Sequence, residues 1–500
     1  MKDTNNATST SAAAPAEVTA EASASAEKSG LSGNIGTFQL TMTVLALSAP
    51  LATVAGVSPL MLSYGGASAP IIFLIVTIGL IFFSVGFAKM GTVMTNPGGF
   101  YAFSTAGLGK SPGLGVAFIA CVGYPLIGFY GTFFFPIALV DYVKSFGGPE
   151  LTWWIISLIY IAVIVFISVL GVSLSVAVMS IIMVLECAVV VALDIACFIH
   201  DPGAGSGGSA LTMPHLADPS THAGLSMLYI FSTFMGFEST VIYREEVRTP
   251  DKTIPHSTMT SVIFIGCFYA VATWAFISCY GSNNIQQIAT DNVGYLMQDT
   301  YKMLFGRIFM DIVTLMLLVS TFASTMSAIN VSARYWYSLG VDGVLPKIFG
   351  KAHPKHHSPY IGLLGVGILY AVVITSLGIA GVDPVFIYPK INGIGTFTVM
   401  LTMFIAALSI IGYFRRNPIG KDQGGNVWNT LIAPILGAVA LGLFLYFAVI
   451  NYSELTGGSS TLTAVGLGIT AALFIGGMIY ARVLRKKKPD VYEKIGRSKE

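Results

Sequence analysis

The sequence predicts an all-α integral membrane protein of twelve transmembrane helices, built as a five-plus-five inverted repeat with helices 1 and 6 broken. Three observations predict it. Apolar residues make up 54% of the 500 and charged residues 10%, where a soluble chain would carry about a quarter charged residues. Stretches of the ~20 apolar residues needed to cross a bilayer recur along the chain. Two of them, the first and the sixth, are interrupted in mid-span by residues that disfavour helix.

Residues 1–33 are rich in Ala, Ser, Thr and Glu, and no apolar run follows a basic start. They are expected to form a disordered cytoplasmic tail, not a signal peptide. The twelve-helix domain is expected over 34–481, with spans at 39–64, 69–91, 112–144, 151–170, 173–199, 223–246, 258–281, 306–333, 359–380, 384–413, 429–451 and 461–481. The first ten form two blocks, about 39–199 and 223–413; 429–451 and 461–481 are extra helices. Residues 482–500 are a basic cytoplasmic tail. With an even number of spans both tails share a side, and 22 of the 26 Lys and Arg residues fall there. Cytoplasmic loops collect these residues, so both termini are expected in the cytoplasm of a cell with the protein in its plasma membrane.

Span 1 contains SAPLATVAGVSP, residues 48–59. Pro50 has no amide donor and disfavours helix at the residue before it, and Gly56 and Pro59 add further weak points. Span 6 contains FSTFMGFES, residues 231–239, with Gly236 beside Glu238. In hydrocarbon every backbone group needs a partner, so broken backbone survives where it lines a cavity. Gly and Pro also make harmless kinks in many membrane helices. Placement favours a site: each interruption lies in the first helix of a five-helix block, and an odd number of helices inverts the second block. Matching breaks in inverted halves point to a midplane binding site, where half-helix amides favour an anionic group.

Three stretches carry a family resemblance. GFEST…YREEVRTPDKTIPHS ends span 6 and opens span 7; NPGGFYAFSTAGLGKSPG occupies 96–113; SARYWYSLGVDGVLP occupies 332–346. Together and in this order they resemble the amino acid–polyamine–organocation (APC) superfamily of permeases, over roughly residues 35–480. The resemblance implies the five-plus-five fold, alternating access, and uptake or exchange of amino acids or related amines. Two positions depart from it. Where the family carries a Gly-Ser-Gly-like run in helix 1, this chain reads Ala52-Thr53-Val54-Ala55-Gly56. Where several members carry a lysine on helix 5, fifteen residues after its opening glycine, this chain has Glu186.

The candidate substrate-binding residues are Ala52, Thr53, Ala55, Gly56 and Gly236 at the breaks, with Phe231 and Phe234 as lids; ordinary aromatic packing is the competing reading for the two rings. Glu238 and Glu186 are the proton-coupling candidates, since an embedded carboxylate is costly unless it is neutral, paired or facing a wet cavity. Glu238 can equally serve as a hydrogen-bond partner for unwound backbone. Asp194 lies nearer the outer end of span 5, where reaching water is cheaper. Span 8 holds Ser324 and Thr325, and sodium-coupled transporters of this fold use a helix-8 Ser/Thr pair with helix-1 carbonyls as the cation site. The resemblance thus leaves a sodium-coupled carrier or exchanger, or a non-transporting sensor, as alternatives to a proton-coupled symporter.

The remaining polar features carry less. Cys121, Cys187, Cys197, Cys267 and Cys279 all fall in apolar stretches and read as buried free thiols. His353, His356 and His357 share a polar loop and read as solvated. Lys390 reads as an interface lysine reaching outward. No metal, cofactor, enzymatic centre or nucleic-acid partner is expected; the expected partners are a small-molecule substrate, a coupling ion and the lipid bilayer.

Overall fold

The computed structural model describes residues 35–94, 98–171, 176–201, 222–356, 358–420 and 424–496. The tail expected at 1–33 lies outside them. The described chain is helical, and ten of its helices are long and apolar enough to cross a membrane. Two further apolar helices, Trp153–Val169 and Ala223–Ser232, are shorter.

Span 1 is three pieces: α1 (Thr37–Ser48), α2 (Pro50–Gly56) and α3 (Ser58–Gly65). Then follow α4 (Ala69–Val93), the short α5 (Gly99–Leu108), α6 (Lys110–Ser145), α7 (Trp153–Val169) and α8 (Val176–His200). Span 6 is α9 (Ala223–Ser232), a stretch of turns, then α10 (Ser239–Ile242). After it come α11 (Pro250–Tyr280), two helices the hydropathy did not mark, α12 (Ile285–Asp291) and α13 (Leu296–Phe305), and α14 (Arg307–Val341). The chain closes with α15 (Tyr360–Ile379), α16 (Pro384–Arg416), α17 (Ala433–Ile450), α18 (Tyr452–Leu455), α19 (Ser460–Lys487) and α20 (Pro489–Lys494).

Helix α6 is the central strut, packed against α5, α14, α16 and α19. It carries Pro125 and Pro136 in its interior. Each proline lacks the amide that would reach back four residues, so a carbonyl is left over. Neighbouring helices satisfy both: Trp336 Nε1 donates to the Cys121 carbonyl at 3.1 Å, and Ser157 Oγ donates to that of Thr132 at 2.8 Å. The prolines therefore tie α6 to α14 and α7. Small residues do the rest. A Cβ added at Gly131 would fall 1.8 Å from Thr325 Oγ1, so only glycine lets α14 approach this closely.

The outer helices face the other way. Ile159, Phe166, Ile368 and Val439 on α7, α15 and α17 are exposed, as expected of surfaces that meet lipid tails. Cys267, expected to be buried, is also exposed, because it lies on the outward face of α11. Asp194, expected near water, is buried, with Oδ1 unpartnered. Asp383 caps α16 by accepting from Val385 N at 2.9 Å. Helix α11 begins at Pro250, its first-turn proline, with Asp251 in the same turn.

At the end of the bundle bearing Arg244 and Arg248, the three motif stretches knit together. Arg248 N donates to the Ile35 carbonyl at 3.2 Å, tying the start of α1 to the segment after α10. Arg244 donates to the Gly91 carbonyl, and the Arg334 guanidinium lies 5.8 Å from the Tyr243 ring centre. Tyr101 Oη donates to Asp342 Oδ2 at 2.8 Å. The side chains of Glu245 and Glu246 lie outside the described residues.

Candidate functional site

The two breaks differ in chemistry. In span 1 the helix fails at Ala49, the only non-glycine residue with positive φ among the described residues (φ 41°). Pro50 explains the position, because the residue before proline is pushed out of the helical region. The unwinding expected over Ala52–Gly56 is displaced: those residues form the helical turns of α2, and the next irregularity is Val57. The Ser48 carbonyl, left over by the break, accepts from Thr53 Oγ1 at 2.6 Å and Tyr269 Oη at 3.2 Å. Leu51 N, the first amide after the proline, donates to Glu186 Oε2 at 3.2 Å.

In span 6 the turns run from Thr233 to Glu238, with Gly236 at φ 112°, a conformation that glycine adopts without strain. Glu238 folds back so that its Oε2 accepts from Gly236 N at 2.8 Å, while Oε1 accepts from Tyr124 Oη at 2.6 Å. The Gly236 carbonyl accepts from both Ser239 N and Ser239 Oγ. The bonds to Gly236 N and the Gly236 carbonyl stand in for those that regular helix would have made.

Between the breaks lies a cavity of about 100 Å³. Its wall is formed by Ala49, Ala52 and Thr53 from span 1, by Gly236 and Glu238 from span 6, by Tyr124 and Tyr130 on α6, by Ser324 and Thr325 on α14, and by Asn392 on α16. Six sequence-derived candidates thus meet: Ala52, Thr53, Gly236, Glu238, Ser324 and Thr325. The others do not reach the wall. Phe231 and Phe234 are buried, and Phe234 packs against Phe73 on α4 instead of closing over the cavity. Ala55 is buried in the core. Gly56 backs onto the wall: a Cβ there would fall 1.9 Å from Tyr130 Oη. Glu186 lies behind the break, 3% exposed.

Tyr124, Tyr130 and Asn392 were not singled out in the sequence. They are uncharged members of long apolar spans, and the one signal was the run GYPLIGFYG at 123–131, glycine alternating with aromatics. Tyr124 stacks on Tyr335 with ring centres 5.0 Å apart, and Tyr130 stacks on Phe134 at 5.3 Å, so both rings are held from behind. Tyr130 Oη also donates to the Ala52 carbonyl at 2.8 Å, linking α6 to the broken helix. Asn392 is 3% exposed and its Nδ2 has no partner. Thr325 Oγ1 is committed on two sides, donating to the Thr321 carbonyl and accepting from Tyr160 Oη, both at 2.8 Å.

A family model described as amino acid permease matches residues 35–481. The chain belongs to that family. It is an APC-type permease, all-helical and multi-pass, and the family is one of transporters, not enzymes. An uncharacterized transporter of Rhizobium meliloti (strain 1021) is 26% identical over 216 residues, 43% of each chain. The branched-chain amino acid permease BcaP of Lactococcus lactis subsp. cremoris (strain MG1363) is 23% identical over 270 residues, 54% of this permease and 52% of that protein. The low-affinity putrescine importer PlaP of Escherichia coli (strain K12) is 26% identical over 251 residues, 48% of this permease and 51% of the importer. The permease thus spans about half the length of the curated relatives it matches.

Proposed function

We propose that this permease is a secondary transporter that moves an amino acid or related small amine by alternating access, driven by protons. The observation that carries the reading is the cavity itself. Two helices are broken at positions that face each other, the backbone groups so released are paired with side chains, and a buried carboxylate forms part of the wall. This is the arrangement that lets broken helices bind a small polar molecule within a bilayer. The family membership and the amino acid and putrescine carriers among the relatives support the same reading.

In this reading the chain crosses the plasma membrane twelve times with both termini in the cytoplasm. Two inverted repeats, about 39–199 and 223–413, enclose the site, and two extra helices flank them. Glu238 and Glu186 are the proton-coupling candidates. Sodium is the weaker alternative: Ser324 and Thr325 do reach the cavity, but the Thr325 hydroxyl is already engaged by Tyr160 and Thr321. Uptake of labelled amino acids and amines into proteoliposomes tests the proposal. A protein that binds substrates but accumulates none under any ion gradient would be a sensor.

A further inference from the structure

Resting on the transport reading, we infer that the substrate is an amine without an α-carboxylate. A carrier of α-amino acids must offer two recognition elements, donors for the carboxylate and acceptors for the ammonium. The structure supplies the second and has filled part of the first. The amides released by the breaks are where a substrate carboxylate would be received. Leu51 N already donates to Glu186 Oε2, and Gly236 N to Glu238 Oε2. Pro50 has no amide to offer. Both helix breaks therefore carry the protein's own carboxylate where a substrate's would go.

The electrostatics agree. Among the described residues lining the cavity there is no Lys, Arg or His to balance a substrate carboxylate, while Glu238 is there to repel one. Like charges brought together in a dry site cost far more than in water. An ammonium meets the opposite reception. A carboxylate has about four acceptor positions; Tyr124 and Gly236 use two of those on Glu238 and its own amide approaches a third, which leaves one for a ligand. Tyr124 and Tyr130 also line the cavity, and an aromatic ring attracts a cation set over its face.

Asn392 is an independent observation that the cavity is shaped for a ligand. Its side-chain amide nitrogen is buried at the wall without a partner, a costly arrangement unless something supplies one. A side-chain amide can present either end, so its oxygen can accept from an ammonium or its nitrogen donate to a neutral acceptor. The cavity volume of about 100 Å³ suits a compact molecule.

Matched pairs that differ only in the α-carboxylate test this directly: isobutylamine against valine, and putrescine against ornithine. Binding is read from the thermal shift of the purified protein, which rises with any ligand held only by the folded state. Uptake is read in proteoliposomes. The amine of at least one pair should bind at least about tenfold more tightly than its amino acid, the scale of a single charge-assisted hydrogen bond. Glu238→Gln, checked for monodisperse elution, should abolish that shift. Equal or tighter binding of the amino acids, with uptake, would overturn the amine assignment and leave the transport reading standing. Amines that bind the unmutated protein without uptake would support the assignment and count against transport. Failure of both members of every pair to bind or accumulate would remove both.

Discussion

Leu51 and Glu186, 135 residues apart, meet where span 1 breaks: the Leu51 amide donates to Glu186 Oε2 at 3.2 Å. One residue explains why the amide is free, since Pro50 ended the preceding helix, and another explains why it is not orphaned. Leu51 is fully buried and Glu186 nearly so, so the bond has no water to fall back on.

Glu186→Leu should therefore destabilise the protein by about 1–3 kcal/mol, the cost of leaving one buried donor unmade. Glu186→Gln keeps an acceptor of the same length and should lose much less. Unfolding of the purified variants in detergent compares the two; equal losses would mean that the bond contributes nothing.

Gly56 and Tyr130 should behave as a coupled pair. A Cβ at position 56 would lie 1.9 Å from Tyr130 Oη and 2.8 Å from its Cζ, so Gly56→Ala must push the ring toward the cavity. Loss of ligand binding is expected with folding largely kept. Removing the hydroxyl with Tyr130→Phe should restore part of the binding to Gly56→Ala. Thermal shifts with ligand for the four proteins of the double-mutant cycle measure this, and strict additivity would show that the two positions are independent.

The last described residues dock onto the motif stretches. Gly496 N donates to Tyr101 Oη at 2.9 Å and approaches Asp342 Oδ2 at 3.4 Å, while Lys110 pairs with Glu493 at 2.8 Å. These contacts differ in burial. Glu493 is 74% exposed, so Glu493→Ala should change stability by less than about 1 kcal/mol. Asp342 is buried and accepts from Tyr101. Asp342→Leu, which strands the Tyr101 hydroxyl, should cost about 1–3 kcal/mol. Comparable effects in a detergent melting experiment would refute the ranking.

Much of this architecture was legible because lipid imposes one rule on every segment. Most helix ends stand within a few residues of where hydropathy placed them, but α11 begins well before its apolar run, and α14 and α19 continue well past theirs, because polar residues continue a helix once it leaves the hydrocarbon. What hydropathy missed are α5, α12, α13, α18 and α20, whose helices lie between or beyond the apolar runs. The site was half legible. Pro50, Gly236 and Glu238 announce themselves because proline, glycine and carboxylate are costly in a dry helix. Proline acts on the residue before it, which is why the break falls at Ala49 and not over Ala52–Gly56. Nothing in the pattern distinguishes Phe231 and Phe234, which pack into the core, from Tyr124 and Tyr130, which line the cavity. That choice depends on how each helix is rotated against its neighbours.

The orientation inferred from the basic residues predicts a labelling pattern. Ser460→Cys, at the start of α19, should react with a membrane-impermeant thiol reagent applied to intact cells, and Lys494→Cys should react only after the membrane is opened. Both positions are exposed in the structure. The opposite pattern would invert the protein in the membrane.

Coupling is the most demanding prediction. If Glu238 holds the substrate's ammonium, the proton needs another carrier, and Glu186 is placed to be one. It sits off the cavity wall, so it can change charge without competing for substrate. Its Oε2 accepts from Leu51 N, and adding a proton to the carboxylate weakens that bond. A weaker grip on Leu51 would loosen the joint at Ala49 about which α1 could move relative to α2. Glu186→Gln fixes the neutral form while keeping an acceptor. Substrate binding should survive, exchange of internal for external substrate should continue, and uptake should no longer respond to an imposed pH gradient. Vesicles are loaded to create a pH gradient, a sodium gradient or neither, and initial uptake is compared for the unmutated protein and the variant. Retained pH dependence in Glu186→Gln would return the role to Glu238. Should the unmutated protein require sodium and ignore pH, proton coupling is wrong, and the oxygens of Ser324 and Thr325, close to the Ala49 break, become the cation site to mutate next.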